Sequence, residues 1–210
     1  ELLAALGGRF ELDALLNGSR VGFSSATLAA PVIGRFPSLY HLLPPAGTQT
    51  LLNEQAEPIP ADLHDPATWK KFAWPPFGES RRATDEGDPE PHRAFVSAVL
   101  SRTGAFHRAL ARPAATPCPS RVVLLGGDTL PTLARAIVPS RPGAPVRFEP
   151  WTKAEAEAMI EAGDARVTRA SLLASHLTPG ETHEAACGIP EVSQAFLGAA
   201  EHHGIYGEPT

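Results

Sequence analysis

Cysteine is almost missing from this chain. Cys118 and Cys187 are the only two, too few for a disulfide framework and unlike a Cys-x-x-Cys metal clip. They can pair or stay as free thiols, so they leave the compartment open. No run of about 18 apolar residues occurs, which argues against an integral membrane segment. An excess of one charge is also lacking. The 18 basic and 23 acidic residues leave a net charge of -5, with no basic stripe for nucleic acid and no polybasic cluster for anionic headgroups. Any contact with lipid is then apolar. The first residues, Glu1-Leu2-Leu3-Ala4-Ala5-Leu6, lack an initiator Met, a basic region and a cleavage site, and read as a chain cut in mid-domain. A signal peptide would lie out of sight. No internal repeat is visible.

What is present suits one domain, 1–210, with a sizeable core and room for an inserted cap. Residues 1–23 hold an amphipathic fragment closed by Asn17-Gly18. Residues 24–35 can form a short helix interrupted by Pro31. The next segment runs from Phe36-Pro37 to Pro44-Pro45, with Pro37 suited to a first helical turn and Leu39, Leu42 and Leu43 on one face. From 46 to 91 the chain is rich in Pro, Gly and acids, as a cap or lid, or a loop pinned by its aromatics, would be. Within it Asp65 is an N-cap, Pro66 takes the first helical position, and Trp69 and Phe72 share a face. Residues 78–91 read as a surface loop.

The clearest helix is 92–112, with Phe95, Val99, Phe106 and Leu110 as its apolar stripe. Gly104 weakens it by up to about 1 kcal/mol relative to Ala. Residues 121–125, Arg-Val-Val-Leu-Leu, form a short apolar run stopped by Gly126-Gly127-Asp128, as a buried parallel strand does at its carboxyl end. Further strands are expected at 134–138, 145–148 and 192–200, and a helix at 153–162. Strands alternating with helices predict an α/β sheet. Gly126-Gly127 lacks the Gly-x-Gly-x-x-Gly and Lys-Ser/Thr patterns of nucleotide loops, so no cofactor is expected.

Chemistry concentrates at Ala162-Gly163-Asp164-Ala165-Arg166-Val167-Thr168. An acid on a tight turn after glycine can orient a histidine, and His202 and His203 follow the apolar run 192–200. Acid first and histidine later is the order of an α/β hydrolase without its nucleophile. The rival acid is Asp128, but a greater separation from His203 leaves room for an extra strand between them. Gly22-Phe23-Ser24-Ser25-Ala26 is no nucleophile elbow, since polar turn residues precede it where a strand is needed, and Ser24 reads as a helix cap. A metal site would recruit Asp164, His183, Cys187, His202 and His203, but Gly180 and Gly188 make a helix through His183 and Cys187 doubtful, and scattered surface residues explain them better.

Taken in order, Phe36-Pro37-Ser38-Leu39-Tyr40-His41-Leu42-Leu43-Pro44, Asp65-Pro66-Ala67-Thr68-Trp69, Ala105-Phe106-His107-Arg108-Ala109-Leu110, and Gly163-Asp164-Ala165-Arg166-Val167-Thr168 with Ser171 resemble the lecithin:cholesterol acyltransferase-like branch of the α/β hydrolases. The resemblance covers most of the chain. It implies the C-terminal portion of a hydrolase sheet with 46–91 as cap or lid, and a lipase, esterase or O-acyltransferase acting on a small-molecule or lipid ester. The family's Gly-Asp-Gly-x-Val acid maps onto Asp164, with Ala165 in place of the second glycine. Its histidine maps onto His202 or His203. His203 is preferred, because Gly204 beside it permits a tight exit. The elbow serine and oxyanion-hole donors would lie before Glu1, in a missing N-terminal part of the same protein, leaving these 210 residues inactive alone. The alternative is a non-catalytic α/β domain serving binding or assembly.

Overall fold

The computed structural model describes residues 33–78, 90–112, 115–116, 119–175, 192–199, 201–202 and 204. In chain order they form a 3-10 turn (Ile33–Arg35), α1 (Pro37–Tyr40), β1 (Leu51–Leu52), α2 (Pro66–Lys71), α3 (Glu90–Leu110), β2 (Val122–Gly127), β3 (Leu130–Leu133), β4 (Ala136–Ile137), α4 (Lys153–Met159), β5 (Ile160–Gly163), α5 (Arg169–Leu172) and β6 (Val192–Gly198). Helices and strands are mixed, a broadly α/β arrangement. The strands pair as three two-stranded sheets, β1 with β4, β2 with β6 and β3 with β5. Among the described residues no helix is long and apolar enough to cross a membrane.

The chain divides into two compact units. The first takes the described residues up to Glu54, those between Pro58 and Leu110, and Ile137–Phe148. Its centre is aromatic. Tyr40, Trp69, Val96, Leu100, Leu52 and Ile137 are each no more than 1% exposed. Asp65 caps α2 by accepting the Ala67 N–H at 2.9 Å, Pro66 follows at the first position, and Lys70 and Lys71 sit in the last turn, where positive charge suits the helix dipole. That local start aims Trp69 inward. Its indole N–H donates to the Leu63 carbonyl at 2.9 Å, and its ring meets Trp74 edge-on at 5.7 Å. The aromatics Trp69 and Trp74 of the 46–91 segment are therefore buried, not displayed.

Three expectations shift in this unit. Helix α3 buries Val96, Val99, Leu100, Thr103 and Gly104; of the expected stripe Phe95, Val99, Phe106 and Leu110, Val99 is buried whereas Phe106 and Leu110 are exposed. On that face a Cβ at Gly104 would lie 3.4 Å from the His64 Cβ and 3.2 Å from Arg108 Nη1. Likewise Tyr40 and Leu43, not Leu42, go inward around α1, with the Tyr40 hydroxyl donating to the Gly34 carbonyl at 2.8 Å. The strand expected at 145–148 is reduced to a single bridge between Ile137 and Arg147.

The second unit takes Gln55–Glu57, Ala111–Ala136 and the described residues from Glu149 onward. Strand β2 runs parallel to β6, Leu124 opposite Ala195 and Leu125 opposite Phe196, with an irregularity between Val122 and Val123. The expected fully buried strand is only half right. Val123, Leu125 and Phe196 are 43, 58 and 55% exposed, because among the described residues this sheet has two strands and lacks the further strands that flank a larger parallel sheet. The helix expected at 153–162 stops at Met159, and Ile160–Gly163 continues as a strand antiparallel to β3. A complete capping box starts α4, Thr152 with Glu155. Pairing with β3 then outweighs the helical preference of Glu161 and Ala162. Strand β4 keeps two residues of the expected 134–138.

Candidate active site

Strand β5 ends in Gly163, where a side chain would overlap both the Val167 carbonyl oxygen and the Thr132 hydroxyl. Glycine lets the chain turn there at full van der Waals contact. Asp164 follows and is 4% exposed. Its N–H donates to the Val167 carbonyl at 3.1 Å. Its Oδ1 accepts the Arg166 N–H at 2.9 Å and the Val167 N–H at 2.6 Å, a side chain closing its own turn. Ala165 sits at φ 72°, in the left-handed region that costs a residue with a Cβ roughly 1–2 kcal/mol. The turn therefore needs positive φ, and alanine is not neutral there. Thr168 caps α5 by accepting the Ser171 N–H at 3.1 Å.

The second carboxylate oxygen, Asp164 Oδ2, lies 2.8 Å from His202 Nδ1. Burial alone pushes the Asp164 carboxyl up, but the Val167 N–H, His202 and the Arg166 N–H together outweigh it and hold the group below the usual carboxylate range. An ionised carboxylate has no proton to give, so His202 Nδ1 is the donor. A second tie runs along the backbone, where the His202 N–H donates to the Asp164 carbonyl at 3.1 Å. The His202 side chain is 43% exposed and that of Asp164 is 6% exposed: a buried, anchored acid holds an imidazole at the surface of this unit. Because the folded Asp164 is depressed, its contribution to stability is complete above the ordinary carboxylate value of about 3.9 and is lost as pH falls through the lower folded value.

The structure thus brings together Asp164 and His202 from the residues singled out in the sequence. His203, the preferred histidine, lies outside the described residues, as do Ser24, His183, Cys118 and Cys187. The rival acid Asp128 stands elsewhere in its bonding. Its carboxylate lies 3.6 Å from Arg169 Nε, and its N–H donates to the Gly198 carbonyl at 3.0 Å. Between Asp128 and Asp164 the chain forms β3, β4, α4 and β5, then returns as β6 beside β2. Among the described residues no group of three or more His, Cys, Asp or Glu side chains is arranged to hold a metal ion.

One residue at the site carries no signal in the sequence. Thr132, 1% exposed, accepts the Ala165 N–H through Oγ1 at 2.9 Å and lies 3.1 Å from the Leu130 carbonyl oxygen. It reaches the turn from β3, across a strand pairing that only a correct β3–β5 register would have revealed. Comparisons of the chain with protein-family models, curated proteins and solved structures found no match.

Proposed function

We propose that this chain is the C-terminal portion of an α/β hydrolase resembling the lecithin:cholesterol acyltransferase-like lipases and acyltransferases, with 46–91 as its cap or lid. On this reading it serves acyl transfer from a lipid-like ester to water or an alcohol. The observation that supports the proposal is the bond between the buried Asp164 carboxylate and His202 Nδ1 at 2.8 Å, with the other carboxylate oxygen occupied by two backbone N–H groups. An acid so fixed holds one tautomer, with the proton on Nδ1 and the basic lone pair on Nε2. His202 Nε2 would take the proton from a serine hydroxyl as its oxygen attacks the acyl carbonyl, and would pass that proton to the departing alcohol. Asp164 would stabilise the imidazolium formed in between. The acyl-enzyme is then released to water or a second alcohol by the same relay in reverse order. The serine would have to come from an elbow outside these 210 residues.

The test is hydrolysis of a p-nitrophenyl fatty-acid ester by a longer polypeptide that includes an upstream Gly-x-Ser-x-Gly. These 210 residues alone are expected to be inactive. In the longer polypeptide Asp164→Asn lowers kcat by about 10³- to 10⁴-fold with unchanged circular dichroism. His202→Ala abolishes activity and His203→Ala leaves most of it. Full activity in Asp164→Asn overturns the proposal, and a gene with no elbow serine upstream favours the non-catalytic α/β binding or assembly domain.

A further inference from the structure

Resting on the acid and base roles proposed above, we infer that Thr132 is a positioning residue, whose hydroxyl sets the orientation of the Asp164–Ala165 peptide and through it the aim of the carboxylate at His202. A trans peptide points its C=O and N–H in opposite directions within one rigid plane. In this plane the N–H belongs to Ala165 and is gripped by Thr132 Oγ1 at 2.9 Å, while the C=O belongs to Asp164 and is gripped by the His202 N–H at 3.1 Å. The strand-borne hydroxyl and the histidine backbone therefore hold the two ends of a single lever. The lever pivots on Ala165, whose φ of 72° gives it reason to relax. If the plane rotates, the Arg166 and Val167 N–H groups leave Oδ1, and Oδ2 loses its direction toward the imidazole.

Thr132 suits this task better than it suits substrate. It is 1% exposed, and its hydroxyl lies within hydrogen-bond distance of both the Ala165 N–H and the Leu130 carbonyl. The register pairs Leu130 with Gly163 and Thr132 with Glu161, so the hydroxyl arrives from a strand that is itself fixed to the one preceding the turn. The bare Gly163 makes room, because a Cβ there would overlap this hydroxyl.

The readout is the tautomer of His202, measured at neutral pH by long-range ¹H–¹⁵N spectra of the ¹⁵N-labelled chain. A free histidine side chain favours the proton on Nε2, so an excess of the Nδ1–H form reports Asp164 directly. Thr132→Val is expected to lower the Nδ1–H to Nε2–H ratio about fivefold, what one lost neutral hydrogen bond is worth, and Thr132→Ser to keep it within about twofold. Amide shifts of β3 and β5 check that the hairpin persists. If Thr132→Val does not fold, Thr132→Ser still decides: a ratio lost with the hydroxyl present overturns the inference. Asp164→Asn separates the two levels. A ratio that responds to Asp164→Asn but not to Thr132→Val removes the role of Thr132 alone, whereas no response to Asp164→Asn removes the acid and base pairing itself.

Discussion

The two units of this chain are held together by different means. The first is built on ring packing, with Tyr40, Trp69 and Trp74 buried and even its histidines stacked, His64 on His107 at 5.2 Å and His41 on Phe106 at 4.8 Å. Among its described residues the second buries few large side chains and spends its order on polar geometry: a capping box at Thr152, a capped α5, and the doubly anchored Asp164. It also leaves Val123, Leu125, Trp151 and Phe196 exposed. Burial of apolar area is where stability comes from, whereas directed hydrogen bonds contribute little net energy but fix orientation. A unit rich in the second and poor in the first is organised for aim more than for strength.

The sharpest way to break this contrast is Trp69→Ala. Removing the most buried ring of the first unit is expected to cost about 3–5 kcal/mol, measured as a fall in urea midpoint. A loss under about 1 kcal/mol would show that the aromatic cluster is not the source of stability. A smaller effect tests the polar exception inside that cluster. Burial lowers the His64 proton affinity, nearby Asp62 partly offsets this, and His107 and Arg108 lower it further. The folded state therefore keeps His64 neutral. With a depressed folded value, its contribution is complete above the unfolded value of about 6.5 and is lost as pH falls through the folded one. The urea midpoint should decline as pH falls below about 6.5, and His64→Leu should flatten that slope. The smallest effect belongs to the second unit. Leu125→Thr is expected to change stability by no more than about 0.5 kcal/mol, since the side chain is already in water. A larger loss would mean that something covers this face.

How much of this was legible in the sequence depends on how local each cause is. The Asp65-Pro66 helix start and the Gly163-Asp164 corner follow from neighbours in the chain, and the structure has them where local chemistry puts them, whereas β2 runs on through Gly126 and Gly127, which are expected to stop it. Asp164 is visible because the residues that hold its carboxylate, Arg166 and Val167, are adjacent. The choice between His202 and His203 is not local. Two identical side chains follow the same strand; His202 donates its backbone N–H to the Asp164 carbonyl, and His203 lies outside the described residues. Thr132 is further out of reach, because its partner Ala165 lies in another strand's turn. The boundary at Met159 fails for a related reason: Lys153 to Ala162 prefers helix residue by residue, and only pairing with Leu130 to Leu133 makes its second part extended. The phase of α3 is not local either, since Phe106 and Leu110 stay exposed while Val96, Leu100 and Thr103 go inward, a choice made by what packs against the helix.

The parallel pairing of β2 with β6 has a kinetic consequence. Val122 to Gly127 must find Val192 to Gly198 across a long intervening stretch of chain, and closing so long a loop comes late and slowly compared with helix or hairpin formation. His202 stands just beyond the end of β6, whereas the turn around Asp164 can close on its own neighbours. The acid is then set before its base arrives, so during refolding Asp164 amide protection should precede the His202 imidazole signal.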